Sequence, residues 1–392
     1  MHAALRRRPA RLLPALVAAA GLLTACGGGD GSSKADGPPA KVTVTPAGGT
    51  KAAKLGSAIS VRATGGKLTS VDVKADKGGK VGGRLSDDGT SWTADGKVRP
   101  GATYTVRTET TSDQGRKATA TSVFTTEGAD KVNKLTNRPN GGETVGTGMP
   151  VSILFDHPIA EDQRAEIEKA LKVTSQPEVT GAWGWVKDYS GKDRIDWRPK
   201  DYWPSGTKVS VKGALSGINS GDAGGWFVRD YDFDFTVGAD RRAVIDVPGH
   251  RLTMYEDGKS VGSVTGSAGS PQDPTRGGVH TVRSKNAAET MDSSTIGYGD
   301  QWMLDSQWVT HLTASGTFLH SAPWNKSIGV VNNSHGCFGM TTADAKKVYD
   351  FLTIGSTVEV KGTSNPNKTD VGNGLEVWQE TWEQWQQRSA LS

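Results

Sequence analysis

Ala243-Val244-Ile245-Asp246-Val247-Pro248-Gly249-His250-Arg251-Leu252-Thr253-Met254-Tyr255-Glu256-Asp257-Gly258 reads as two short strands, with Asp257-Gly258 opening a hairpin turn into Val261-Gly262-Ser263-Val264. Downstream, Thr357-Val358-Glu359-Val360 is another strand. Between them lies the clearest helix, Thr342 to Leu352. Ala345, Val348, Tyr349 and Leu352 recur at i, i+3, i+4 and i+7, and Thr341 or Thr342 can cap it. This module is mostly β with one short helix.

Upstream, strands are expected around Val151–Phe155, Trp183–Trp185, Ile195–Trp197, Val209–Val211 and Tyr231–Phe235, with one helix from Glu161 to Leu171. Further back, Val42 and Val44, Val71 and Val73, and Tyr104 and Val106 alternate with polar residues. Asp88-Gly89, Asp95-Gly96 and Pro100-Gly101 punctuate them. Short strands at such spacing predict two successive β-sandwiches. The 392 residues, with 51 Gly and 35% apolar content, suit several small β-rich cores. A net charge of only +4, without a basic stripe interleaved with aromatics, argues against a nucleic-acid partner.

The N-terminus is an export signal in outline. Arg6, Arg7, Arg8 and Arg11 precede an apolar run, Leu12 to Leu23, too short to span a bilayer comfortably. Leu23-Thr24-Ala25-Cys26 resembles a bacterial lipobox, which implies lipidation of Cys26. Gly27 to Ser33 then serves as a flexible tether. The expected layout is a signal peptide at 1–25, a linker at 26–40, sandwiches at 41–126 and 127–239, a third module at 240–362 and a Trp-rich tail at 363–392.

With Cys26 lipidated, Cys337, the other cysteine, has no internal partner. It ends Ser334-His335-Gly336-Cys337, just ahead of the predicted helix, where a helix N-terminus would favour a thiolate. Gly336 leaves room for a carbonyl to approach, and amides at Gly336 and Cys337 suit an oxyanion hole worth roughly 3 kcal/mol per donor. His335, two residues away in an extended segment, and His320, in Phe318-Leu319-His320-Ser321-Ala322-Pro323-Trp324, are both candidate bases. Spacing alone leaves a catalytic Cys–His pair and purely structural roles both open.

Phe318-Leu319-His320-Ser321 followed by Ser334-His335-Gly336-Cys337 resembles the signature of the L,D-transpeptidase (YkuD-like) catalytic domain. Ile245-Asp246 with Met254-Tyr255, and Pro274 to His280, extend the likeness to that family, and Met291-Asp292-Ser293-Ser294-Thr295 and His320 to Trp324 resemble its actinobacterial lipoprotein class in particular. That resemblance implies two immunoglobulin-like domains before the catalytic one, and covers nearly the whole mature chain. It implies Cys337 as nucleophile, His320 as general acid/base, Ser321 orienting His320 through its backbone carbonyl, and His335 with Gly336 shaping the oxyanion hole. The substrates it implies are peptidoglycan stem peptides joined by 3→3 cross-links with loss of D-Ala; carbapenems would acylate the same thiol. No metal or other cofactor is implied, and the membrane is a partner through the lipid anchor.

Around the nucleophile, Met291, Tyr298, Trp302, Trp324, Ser334 and Gly339 are expected to bind substrate. Gly339 stands where the family usually has Asn or Arg. In the lid, about 283–313, Ile296 stands where the related class often has Tyr, with Tyr298 or Trp302 compensating. The alternatives are an L,D-carboxypeptidase using the same residues, and a non-catalytic wall-binding lipoprotein. His2, His157, His250, His280 and His311 have no metal-like spacing. Trp183, Trp185, Trp197, Trp203 and Trp226 read as packing residues rather than a carbohydrate platform. Trp378, Trp382 and Trp385, at i, i+4 and i+7, are expected on one helix face docked on the catalytic module.

Overall fold

The computed structural model describes residues 37–296, 299–301, 303–365 and 369–392. Cys26, Tyr298 and Trp302, singled out above, lie outside the described residues.

Two sandwiches come first, each built from a pair of four-stranded sheets. In the first, Ala58–Thr64 and Gly66–Ala75 belong to opposite sheets. Their inward residues, including Val61 and Val73, meet Trp92, Tyr104 and Phe124 in one core. In the second, Asp193–Pro199 pairs with Gly181–Lys187 and Val151–Phe155. Trp183, Trp185, Trp197 and Trp203 are buried among aliphatic residues of the same core. The packing role expected for these four is therefore what they have. Trp226 is half-buried at the edge facing the first sandwich, where a Cβ on Gly56 would stand 3.3 Å from its ring.

The third module has two sheets. One holds Lys259–Thr265, Arg251–Glu256, Arg241–Asp246, Thr357–Lys361 and Gly278–Thr281 in that order. The hairpin expected at Asp257-Gly258 is thus real, with Glu256 opposite Lys259, and the pairing of Asp246 with Arg251 completes the first hairpin that the resemblance implies. The other holds Ser284–Asp292, Met303–His311, Phe318–Ser321 and Phe338–Met340. The helix Thr342–Phe351 packs its Ala345 and Val348 into the common core. Thr341 caps it, its hydroxyl accepting from the Asp344 amide at 3.1 Å.

The strand Phe338–Met340 was not foreseen, because three residues are too few to show alternation. It corrects the expected placement of Cys337. The strand sets about 10 Å between the thiol and the helix, beyond the reach of the helix dipole.

The second sandwich and the third module meet backbone to backbone. Gly146 donates to Ile354 O at 2.7 Å and Gly148 to Gly355 O at 2.9 Å. A Cβ on Gly146 would fall 2.2 Å from the Ser356 nitrogen, so only glycine fits there.

The tail corrects a second expectation. Its tryptophans are not on one helix: Trp378 lies in the short turn Val377–Gln379, while Trp382 and Trp385 lie in Trp382–Gln386. They dock mainly on the second sandwich. Trp378 Nε1 donates to Gly148 O at 2.8 Å and Trp385 Nε1 to Ala182 O at 3.0 Å. All three rings surround the Arg198 guanidinium, at 4.7, 5.4 and 5.6 Å from their centroids. The third module holds the other end of the tail. Glu376 Oε2 sits 2.8 Å from His280 Nδ1, both side chains fully buried. His280 Nε2 faces Arg276 O at 3.0 Å, so both ring nitrogens meet acceptors and the ring is an imidazolium. Burial alone would lower its pKa, but the Glu376 charge and these hydrogen bonds together raise it. The tail therefore staples the two modules together.

Candidate active site

Phe318–Ser321 and Phe338–Met340 pair in parallel, with His320 opposite Gly339 and Ser321 opposite Met340. This register brings the two sequence motifs together. His320 enters from one strand, and Cys337 stands at the head of the other. Both open into a cavity of about 550 Å³, also lined by Met291, Trp324, Ser334, His335 and Gly339. Five residues expected at the site thus share one wall with the thiol and the imidazole of His320.

His320 is buried and fixed. Its Nδ1–H donates to Ser321 O at 2.8 Å, as the family resemblance implies. The same oxygen accepts from Ser306 Oγ at 2.8 Å, and the Ser321 hydroxyl accepts from the Gln307 amide at 3.0 Å. Nε2 is left as the basic nitrogen, with no side chain at Gly339 in front of it. A Cβ there would lie 3.8 Å from Nε2 and 3.0 Å from Ala322 Cβ. The Trp324 ring stacks over the imidazole, 6.0 Å between centroids. Burial depresses the His320 pKa to about 4, against the opposing pull of the Ser321 bond. The ring is neutral at pH 7 and its Nε2 lone pair is available.

Cys337 differs from the expected thiolate. The residue is half-buried and its thiol donates to Gly316 O at 3.3 Å. Burial pushes it up to about 11, only partly offset by a hydrogen bond from the Phe318 backbone. Neither cause foreseen for ionisation operates: the helix is a strand's length away and His320 is uncharged. The resting pair is thiol and imidazole.

The turn ahead of Cys337 is built by Ser334. Its hydroxyl donates to Cys337 O at 2.7 Å and accepts from the Gly336 amide at 3.2 Å. Gly336 has φ +106°, a conformation that costs other residues strain. The Gly336 amide, expected in an oxyanion hole, is thus turned onto Ser334 in this state through a long bond. His335 is exposed at the cavity rim.

Comparison with known proteins places this arrangement. Residues 50–219 match the bacterial Ig domain family, and residues 240–360 match the L,D-transpeptidase catalytic domain. L,D-transpeptidase 2 of Mycobacterium tuberculosis (strain CDC 1551 / Oshkosh) is 33% identical over 356 residues, covering 89% of this chain and 85% of the relative. The chain belongs to the L,D-transpeptidase family. L,D-transpeptidase 5 of Mycobacterium tuberculosis (strain ATCC 25618 / H37Rv) is 30% identical over 337 residues, covering 85% and 73%. Among solved structures, that of the L,D-transpeptidase LdtMt1 in complex with imipenem aligns with a TM-score of 0.50 at 28% identity, over 58% of this chain and 99% of that one.

This L,D-transpeptidase also has site residues that the motifs did not name. Ser306 is the second donor on the carbonyl that fixes His320. Its only sequence signal is its position on an alternating strand. Asn325 Nδ2 donates to Asn333 Oδ1 at 2.8 Å, and Ser267 Oγ lies 2.8 Å from the same oxygen. These three polar side chains form the cavity wall beside Ser334. The Asn-rich stretch between the two motifs was the available hint. Among the described residues no cluster of His, Cys, Asp and Glu has metal-binding geometry.

Proposed function

We propose that this transpeptidase forms 3→3 peptidoglycan cross-links through a thioester on Cys337. The observation that carries the reading is the fixed His320 ring, with Nδ1–H committed to Ser321 O and a neutral Nε2 opposite Gly339. Separate ionisation of the thiol by this ring would cost on the order of 10 kcal/mol, from pKa values near 11 and 4. Proton transfer is therefore concerted with attack. The sulfur adds to the carbonyl of the third residue of a donor tetrapeptide as Nε2 takes its proton. The resulting imidazolium is strongly acidic. It gives that proton to the departing D-Ala amine as the C–N bond breaks and the thioester forms. The side-chain amine of an acceptor stem then attacks the thioester, its proton passing to Nε2 and back to the sulfur as the C–S bond breaks. Swinging the Gly336 amide off Ser334 would supply an oxyanion donor.

Carbapenems present an acyl donor to the same sulfur, and the imipenem complex of LdtMt1 supports their use as probes. Intact-mass analysis after meropenem should show one adduct, absent in Cys337→Ala. No adduct on the folded wild type would leave a wall-binding protein as the better reading. Incubation with tetrapeptide stems should give dimers; tripeptide alone would mean a carboxypeptidase.

The signal at 1–25 and Cys26 support export, with a lipid on Cys26 and a linker to residue 40 carrying the sandwiches and catalytic module toward the wall. Labelling by a radioactive fatty acid, lost in Cys26→Ala, tests this localisation.

A further inference from the structure

Arginines from two modules converge at their junction, away from the thiol. Arg138 lies on the strand Leu135–Arg138 and Arg194 on Asp193–Pro199, both in the second sandwich. Arg283 follows the strand Gly278–Thr281 of the catalytic module. They line one cavity of about 190 Å³ with Thr136, Ser152 and Asp188, closed by Gly374 and Leu375 of the tail.

The positive charge there is incompletely matched. Arg194 is buried and satisfied in part: Nε and Nη2 donate to Asp196 Oδ2 at 3.1 and 2.8 Å, and Nη2 also to Val371 O at 2.9 Å. Asp188 spends one oxygen on its own turn, accepting from the Ser190 and Lys192 amides and the Ser190 hydroxyl. Arg138 donates one nitrogen, Nη1, to the backbone oxygen of Arg283 at 2.9 Å. The half-buried Arg283 guanidinium meets no acceptor among the described residues. Burial, and then the neighbouring charges of Arg138 and Arg194, lower its pKa. Asp188 brings one carboxylate to the cavity wall and Asp196 answers Arg194, but a half-buried guanidinium beside two others with no carboxylate bonded to it is unfavourable unless something else carries the opposite charge.

We propose that this junction binds a compact tetrahedral oxyanion, a phosphate group, bridging the second sandwich and the catalytic module. Arg138 and Arg283 approach from the two modules, with only Nη1 of Arg194 left uncommitted beside them among the described residues, and guanidinium groups from several sides suit a ligand with oxygens on several sides better than a planar carboxylate. The Thr136 hydroxyl adds a neutral donor to the wall, while the Ser152 hydroxyl is already on the Asp196 carboxylate. The phosphate is a free ion or a phosphodiester of a wall polymer, and the two sources share the same recognition chemistry. The site is independent of the chemistry proposed for Cys337.

The test is thermal unfolding and calorimetric titration of the full-length protein at constant ionic strength, with inorganic phosphate or dimethyl phosphate against sodium chloride. Saturable binding of either anion is expected, with a rise in Tm of about 2 °C or more at ten times Kd. Preference for dimethyl phosphate supports a polymer phosphodiester; preference for inorganic phosphate supports the free ion. Arg283→Met keeps the apolar stem but drops the charge. It should weaken binding at least tenfold while raising Tm in anion-free buffer, because an unpaired cation has gone. Arg138→Gln should weaken binding as well and serves if Arg283→Met does not fold. No saturable binding of either anion, or an undiminished response in these variants, overturns the proposal. So does a lower anion-free Tm for folded Arg283→Met, which would make Arg283 a packing residue.

Discussion

His320 Nδ1 stands 2.8 Å from the carbonyl oxygen of its own neighbour Ser321, so one peptide unit selects the tautomer of the imidazole beside the thiol. Ser306 is the third member, its hydroxyl on the same oxygen. It acts through His320 rather than on substrate. Ser306→Ala should lower the rate of carbapenem acylation about tenfold, in the range typical of such outer partners. Stability should fall by about 1 kcal/mol. A structural role alone would leave the pH profile of acylation unmoved; loss of the anchor should shift its acidic limb, and Ser306→Thr should restore it.

The thiol near 11 and the imidazole near 4 predict two different pH profiles on one cysteine. Alkylation by iodoacetamide needs the thiolate, about one part in ten thousand at pH 7. Its rate should climb nearly tenfold per pH unit from 7 to 10. Carbapenem acylation uses neutral His320 as base. It should be half-maximal near pH 4 and flat from about 6 to 9. An alkylation inflection between pH 5 and 7 would reveal a preformed ion pair and contradict this account.

The buried His280–Glu376 pair makes the tail junction pH-sensitive. The folded-state pKa of His280 is raised above its unfolded value near 6.5. Its contribution is therefore fully present below about pH 6.5 and is lost as pH rises through the folded pKa. Urea unfolding should show stability declining above neutrality. Glu376→Gln leaves the imidazole without its counter-charge and should cost about 3–5 kcal/mol, with that alkaline decline abolished.

Gly146→Ala places a methyl 2.2 Å from the Ser356 nitrogen, against backbone that cannot step aside. The expected loss is about 2 kcal/mol or more, concentrated at the junction. Limited proteolysis should then cut between the second sandwich and the catalytic module faster than in wild type, while meropenem still labels Cys337.

Much of this molecule is legible in its residues, because period-2 alternation and turn dipeptides carry local information. The hairpin turned at Asp257-Gly258, joining Arg251–Glu256 to Lys259–Thr265, and the helix capped by Thr341 follow directly from their spacing. The pairing of His320 with Cys337 is different, since it depends on a parallel register between strands of four and three residues, too short to leave a pattern. The family motifs supplied the juxtaposition that spacing could not. What neither supplied was the ionisation state. Burial and a three-residue strand decide it, and both arise from tertiary packing. Ser306 and the Asn325–Asn333 wall escaped because nothing local distinguishes a surface serine from one aimed at a buried carbonyl. The tail was misplaced for a similar reason. Its tryptophans look amphipathic at i, i+4 and i+7, yet the attraction of Arg198 sets their position.

That arrangement has a consequence for how the protein is made. Arg198 precedes Trp378 by 180 residues, and modules of a chain generally fold in the order they emerge. Until the C-terminus has been synthesised, the second sandwich presents a bare cation and an open strand edge where Trp185 will later meet Arg388. A chain stopped a dozen residues early would contain every group of the thiol site and still lack its final seam.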